Sequence, residues 1–123
     1  MEIKKLSHVC LSTKNLEKVR DFYINILKFK IVHEFINKNK ETYGYFINVG
    51  NNSFIEFFLV EKIENSNLSS FRHLCFEVYN IDNLYKRLKK KFPKIKIKIG
   101  KTDGIKQFFV KDFENNIIEF HQR

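Results

Sequence analysis

The chain has 123 residues, 43% hydrophobic and 15% aromatic, enough for one domain with a real core and too apolar for a disordered chain. No apolar run reaches membrane-spanning length, and Met1-Glu2-Ile3-Lys4-Lys5 lacks a signal-peptide stretch, so a cytoplasmic protein without membrane contact is expected. Lys and Arg number 23 against 14 Asp and Glu, a net charge of +9, and the two cysteines, Cys10 and Cys75, read as reduced core residues of apolar strands rather than a disulfide.

Ile3 to Ser12 reads as a strand. Asn15 is a good N-cap for a helix whose apolar stripe is Leu16, Val19, Phe22, Tyr23, Ile26 and Leu27, the 3.6-residue period of a helix lying on a sheet. Three strands follow, Phe29 to Ile36, Thr42 to Val49 and Ser53 to Val60, the last two joined by the turn Gly50-Asn51-Asn52. The polar stretch Glu61 to Ser70 reads as a link. The same order then returns. Phe71 to Tyr79 is a strand, and Asn80 caps a helix with Ile81, Leu84, Tyr85, Leu88 and Phe92 on one face, stopped by Pro93. Ile95 to Ile99 alternates with lysine as an edge strand, Gly100 to Gly104 is a turn, and Ile105 to Lys111 is the next strand. Asp112 to Asn116 turns the chain into the last strand, Ile117 to Gln122. The result is an α+β fold of two tandem βαβββ modules, about 1–62 and 69–123, in a single domain spanning 1–123. Curled mixed sheets would carry the helices on their outer faces. Each module is too small to bury its own sheet, so each should pack on the other or on a partner's.

The densest positive run is Lys86-Arg87-Leu88-Lys89-Lys90-Lys91, with Lys94, Lys96 and Lys98 after it. It holds no DNA-binding motif, and its aromatics do not interleave as a base-stacking platform would. A solvated helix face followed by an edge strand guarded by lysines is the simpler account, and no nucleic-acid partner is expected.

The repeat extends to side chains with chemistry. His8 precedes Glu56 by 48 positions and His73 precedes Glu119 by 46. His8-Val9-Cys10 answers His73-Leu74-Cys75 at an offset of 65, and Phe54-Ile55-Glu56-Phe57 answers Ile117-Ile118-Glu119-Phe120 at 63. Residues two apart on a strand share a face. His8, Cys10 and Ser12 therefore point one way, as do His73, Cys75 and Glu77, while Val9, Leu11, Ile55, Phe57, Leu74, Phe76, Ile118 and Phe120 pack under the helices. A shielded carboxylate without a partner costs several kcal/mol, and two facing two imidazoles are what a divalent cation would neutralise. His8, Glu56, His73 and Glu119 are thus the candidate ligands of one divalent ion, for which this set suits Zn, Ni, Co, Mn or Fe(II). Any one of these residues alone would be read as a surface or hydrogen-bonded group; duplication makes the case. Ser12 and Glu77, on the ligand faces, are candidates for substrate contact. His121, at the chain end, reads as a supporting or exposed residue and His33 as a surface one. Nucleotide and nucleophile-elbow motifs are absent.

At these residues the chain resembles the vicinal oxygen chelate superfamily, which includes glyoxalase I, methylmalonyl-CoA epimerase, fosfomycin thiol transferases, extradiol dioxygenases and bleomycin-resistance proteins. The resembling segments are Leu6 to Leu11, Asp21-Phe22-Tyr23 with Leu27-Lys28-Phe29, Phe71 to Val78, and Asp112 to Phe120, the last similar to the D-P-x-G-N-x-x-E-L signature of the family. The resemblance covers the whole chain. It implies a metal-dependent lyase or isomerase of glyoxalase I type, a homodimer acting on a small carbonyl or thiol adduct. The metal would chelate neighbouring substrate oxygens, and Glu119 first, or Glu56 second, would move the proton. The alternatives it implies are a CoA-thioester epimerase and a metal-free protein that binds a drug or metabolite. A full set of four ligands resembles glyoxalase I and the epimerase; thiol transferases typically lack the first-half Glu. Two departures stand out. Ser12 occupies the position where glyoxalase I carries an Arg for the glutathione carboxylate. Asp112-Phe113-Glu114-Asn115 replaces D-P-x-G, with Asn115 able to take the left-handed conformation of the Gly.

Overall fold

The computed structural model describes residues 1–63 and 70–123. The chain divides into two compact units, Met1–Glu64 and Asn65–Arg123. Most of the expected link lies at 64–69, outside the described residues.

In the first unit the strands are β1 (His8–Thr13), β2 (Lys30–Ile36), β3 (Thr42–Gly50) and β4 (Ser53–Leu59). They form one sheet in the order β1-β4-β3-β2, with β1 and β4 parallel and the other pairs antiparallel. The second unit repeats that order with β5 (Leu74–Glu77), β6 (Lys98–Ile99), β7 (Lys106–Lys111) and β8 (Ile117–Gln122), as β5-β8-β7-β6. β5 and β8 are the parallel pair. Two four-stranded mixed sheets, each with one helical segment between its first two strands, are the α+β architecture expected.

Asparagine opens both helices. The Asn15 side chain accepts from the Lys18 N–H at 3.2 Å, and that of Asn80 accepts from the Asn83 N–H at 3.0 Å. Each satisfies one of the N–H groups that a helix start leaves without a partner. Helix α1 (Leu16–Val19) departs from the expected period: it continues as a π-helical segment, Arg20–Ile26. The Leu27 N–H reaches the Phe22 carbonyl at 2.9 Å, a five-residue step. The stretched turn lets the adjacent Phe22 and Tyr23 both bury, together with Val19 and Leu27. Their ring contact with the sheet is Tyr23 on Phe57, 4.9 Å between centroids. In the second unit α2 (Ile81–Lys89) buries Ile81 and Leu88 and sets Tyr85 edge-on to Phe108 at 5.5 Å. Full burial of each such side chain contributes roughly 1.5–3 kcal/mol.

Turn chemistry follows the residues. Asn51 and Asn52, between β3 and β4, both have positive φ, 38° and 59°, the backbone of a tight hairpin turn. Asn115 has φ 64°, the left-handed position that the sequence assigned it. Asp112, 4% exposed, holds that turn by accepting from the N–H groups of Glu114 and Asn116, each at 2.9 Å.

Several strands are shorter than the sequence suggests. β1 starts at His8, and residues 1–7 are exposed and outside any strand. β5 is only Leu74–Glu77, so His73 stands just before it. The lysine-rich edge strand expected at Ile95 to Ile99 is reduced to Lys98–Ile99. The physical reason lies at Ile95. Its carbonyl accepts from the Tyr85 hydroxyl at 3.0 Å and the Lys89 ammonium at 2.6 Å, and its side chain is buried. Anchored to the helix, with Pro93 lacking an N–H, this stretch does not pair with β7. Among the described residues, no helix is long and apolar enough to cross a membrane.

Candidate metal centre

In each unit the first and last strands lie side by side and parallel, which carries the start of one to the middle of the other. His8 is opposite Phe54 and Cys10 is opposite Glu56. Cys75 is opposite Glu119, the same register. Alternation then decides the faces. Ile55 and Phe57 are buried and Glu56 between them points to the other side; Ile118 and Phe120 flank Glu119 in the same way.

The structure brings the expected partners together within each unit. His8 Nε2 lies 3.7 Å from Glu56 Oε1, and His73 Nε2 lies 3.0 Å from Glu119 Oε1. The carboxylate side chains are 19% and 13% exposed, the imidazoles 39% and 41%. Each unit thus presents a shielded anion with a half-exposed imidazole at its mouth. Ser12 shares the His8 face, exposed and opposite Phe58. Glu77 is exposed at the strand end, where Oε1 is 4.0 Å from Arg123 Nε. Neither touches its unit's imidazole–carboxylate pair in the described contacts.

Other features were not read from the sequence. In both units an aromatic ring on the neighbouring strand sits opposite the carboxylate, Phe46 across from Glu56 and Phe109 across from Glu119. Each ring meets its histidine edge-on, at 5.6 and 6.0 Å between centroids. The signal was available: Tyr45-Phe46-Ile47 answers Phe108-Phe109-Val110 at the same offset of 63 that relates the two glutamates. His121 is more engaged than its terminal position suggests. Its side chain is 17% exposed, with Nδ1 3.5 Å from Glu119 Oε2 and 3.4 Å from Cys75 Sγ. Cys75, Glu119 and His121 place potential ligand atoms within 4.8 Å of one another. His33 is exposed, edge-on to Phe35 at 4.9 Å.

The cysteines correct an expectation. Neither is core: both are exposed, on the ligand faces. Alternation forces this, because the apolar neighbours Val9, Leu11, Leu74 and Phe76 take the inner face. Partial burial, then the charge of Glu56 and a hydrogen bond to it, raises the Cys10 thiol. Cys75 is pushed up to about 12 by partial burial first, then by Glu119, with Arg123 opposing and Glu77 adding. Both thiols stay protonated at neutral pH and are poor nucleophiles.

The donor set fits a divalent cation. Neutral imidazole nitrogens and carboxylate oxygens are ligands of borderline transition metals. Among the described residues no buried side-chain N or O atom lacks a partner, so the fit rests on donor chemistry and its duplication.

A paired βαβββ fold with an imidazole–carboxylate pair at equivalent places in each unit defines a class. The chain belongs to the glyoxalase/bleomycin resistance protein/dioxygenase superfamily, whose family model matches residues 5–120. It is 24% identical over 95 residues to the uncharacterized protein YwkD of Bacillus subtilis (strain 168), covering 74% of each chain. In fold it is similar to a glyoxalase family protein from Enterococcus faecalis, with a TM-score of 0.80, 22% identity, and 98% and 99% of the two chains covered. It is likewise similar to the lactoylglutathione lyase of Agrobacterium tumefaciens, with a TM-score of 0.75, 13% identity, and 99% and 96% covered.

Proposed function

We propose that the protein is a metal-dependent lyase or isomerase that shifts a proton on a small carbonyl or thiol-adduct substrate. The observation that carries this reading is the duplicated pair, His8 with Glu56 and His73 with Glu119, in the same register of each sheet. One pair offers two donors, and a divalent ion takes four or more. Both pairs together, from one chain or from two, would supply a four-donor set and leave the remaining positions to water or substrate. Bound there, the ion would supply Lewis acidity to the substrate oxygens.

The chain's own residues divide the remaining work. Glu119 is the first choice for the proton, with Glu56 second: a carboxylate oxygen shielded from water can take a proton from a neighbouring carbon acid and return it. His121 Nδ1, at 3.5 Å, sits on the Oε2 side of Glu119, away from the oxygen that faces His73. Phe46 and Phe109 wall the two pairs and limit water. Ser12, in place of an Arg, disfavours a glutathione carboxylate.

Metal analysis of the purified protein, after supplementation with Zn, Ni, Co, Mn or Fe(II), is expected to give about one equivalent per four-donor set. His73→Ala should lose it. No bound metal under any supplementation would overturn the enzyme reading. It would favour a metal-free binding protein, for which the stacked Phe46 and Phe54 rings, 4.8 Å apart, offer a planar ligand a surface.

A further inference from the structure

The two units repeat a histidine, a cysteine and a glutamate, but the second adds a further donor on the same face. In the first unit Cys10 is opposite Glu56 and Ser12 is opposite Phe58. In the second, Cys75 is opposite Glu119 and Glu77 is opposite His121. His121 thus holds the place of Phe58, at the offset of 63 that relates the two glutamates. Phe58 is spent on packing: it meets Phe35 at 4.9 Å and stacks on Tyr43 at 5.9 Å between centroids. His121 instead turns Nδ1 toward two polar neighbours, 3.4 Å from Cys75 Sγ and 3.5 Å from Glu119 Oε2.

These separations suit a shared ion better than hydrogen bonds alone. An N–H···O bond is ordinarily about 2.7–3.2 Å long, so 3.5 Å is stretched for one. Donors about 2.0–2.3 Å from one tetrahedral ion stand roughly 3.3–3.8 Å apart, a span that includes both distances. All three donor atoms lie within 4.8 Å of one another. The side chains of His121 and Glu119 are largely shielded, while Cys75 is exposed and gives an ion a way in. The carboxylate is divided between two histidines, Oε1 facing His73 and Oε2 facing His121. A sulfur donor beside imidazole and carboxylate favours softer ions than imidazole and carboxylate alone.

We propose that Cys75, Glu119 and His121 form a second cation site, for a thiophilic divalent ion such as zinc or cadmium. All three ligands belong to one unit of one chain, and the fourth position is left to water. On binding, Cys75 gives its S–H proton to solvent as the sulfur–metal bond forms, with no change of oxidation state. The site shares Glu119 with the candidate metal centre but stands on Cys75 and His121. An ion held here therefore counts beyond the four-donor set.

Cadmium is the probe, because a cadmium–thiolate bond absorbs in the ultraviolet. Titration of the full, reduced chain should raise that band to saturation at about one equivalent per chain. The bound cadmium should also protect Cys75, and not Cys10, from iodoacetamide, read by peptide mass spectrometry on the unaltered protein. Cys75→Ser should remove the band, and Cys10→Ser should keep it. His121→Phe, which copies Phe58 of the first unit, should weaken cadmium binding at least about tenfold while thermal stability is kept. No band, a band that survives Cys75→Ser, or equal protection of both thiols would overturn the site. So would unchanged cadmium affinity in His121→Phe, which would leave a lone thiol capturing the metal. A cadmium site of the expected kind, in protein whose uptake of other metals is untouched by His8→Ala and His73→Ala, would keep this inference and overturn the four-donor reading instead.

Discussion

Cys75 shows how one residue's chemistry is set by what lies across the strand. It is exposed, yet partial burial and Glu119 push its thiol up to about 12 from the usual 9.0. The thiolate is the reactive form, so alkylation by iodoacetamide at pH 8, with chelator present, should run at least about tenfold slower than for a free thiol. Glu119→Gln removes the repelling charge and should speed it, read by mass spectrometry. A wild-type rate equal to that of free cysteine would show that the carboxylate does not govern the thiol. The same variant tests the proton role. An amide oxygen still coordinates but takes no proton. On whichever hemithioacetal or thioester the wild type turns over, Glu119→Gln should cost about 10²–10⁴-fold in rate, with the fold and part of the metal affinity retained. Unchanged turnover would move the base elsewhere, to Glu56 first.

At the scale of elements, Gly44 in β3 shows why the face around the carboxylate is built as it is. A Cβ there would meet the Phe57 carbonyl oxygen at 2.6 Å and the Phe58 ring at 2.7 Å. The absent side chain lets Phe58, two residues beyond Glu56, lie over the strand and meet Phe35 at a tilt, 4.9 Å between centroids. The carbonyl is backbone and cannot swing away, so Gly44→Ala should destabilise by about 1–3 kcal/mol in urea unfolding. An unchanged midpoint would mean that β3 and β4 shift freely. The π-helical segment is the element that the sequence pattern conceals. Apolar residues at 19, 22, 23 and 27 satisfy a 3.6-residue period as well as a wider one. The choice comes from burying Phe22 and Tyr23 together against the sheet, an outcome of packing rather than of spacing.

For the whole molecule, the twofold repeat of donors has a consequence for assembly. If a complete ligand shell needs two pairs, the pairs must be offered together. The proposed arrangement is a homodimer of twofold symmetry, the commonest assembly of soluble chains. Light scattering at working concentration should give twice the 14.9 kDa of the chain. A monomer that still binds a full metal equivalent would place all four donors in one chain.

The sequence by itself determined the order of elements, both asparagine caps, the left-handed Asn115 and the histidine and glutamate of each pair. These depend on local rules, period, cap chemistry and turn chemistry, or on the repeat, all of which are written along the chain. It also determined which face each donor takes, because alternation on a strand needs no tertiary information once the buried neighbours are recognised. Tertiary structure decided the rest. His121 reads as a terminal residue that shares the Glu119 face by alternation, and only the pairing of β8 with β5 brings it to Cys75. The edge strand at Ile95 to Ile99 alternates well, yet Tyr85 and Lys89 claim the Ile95 carbonyl that a strand neighbour would need. A hydrogen-bond acceptor taken by a helix side chain cannot be foreseen from spacing along the strand.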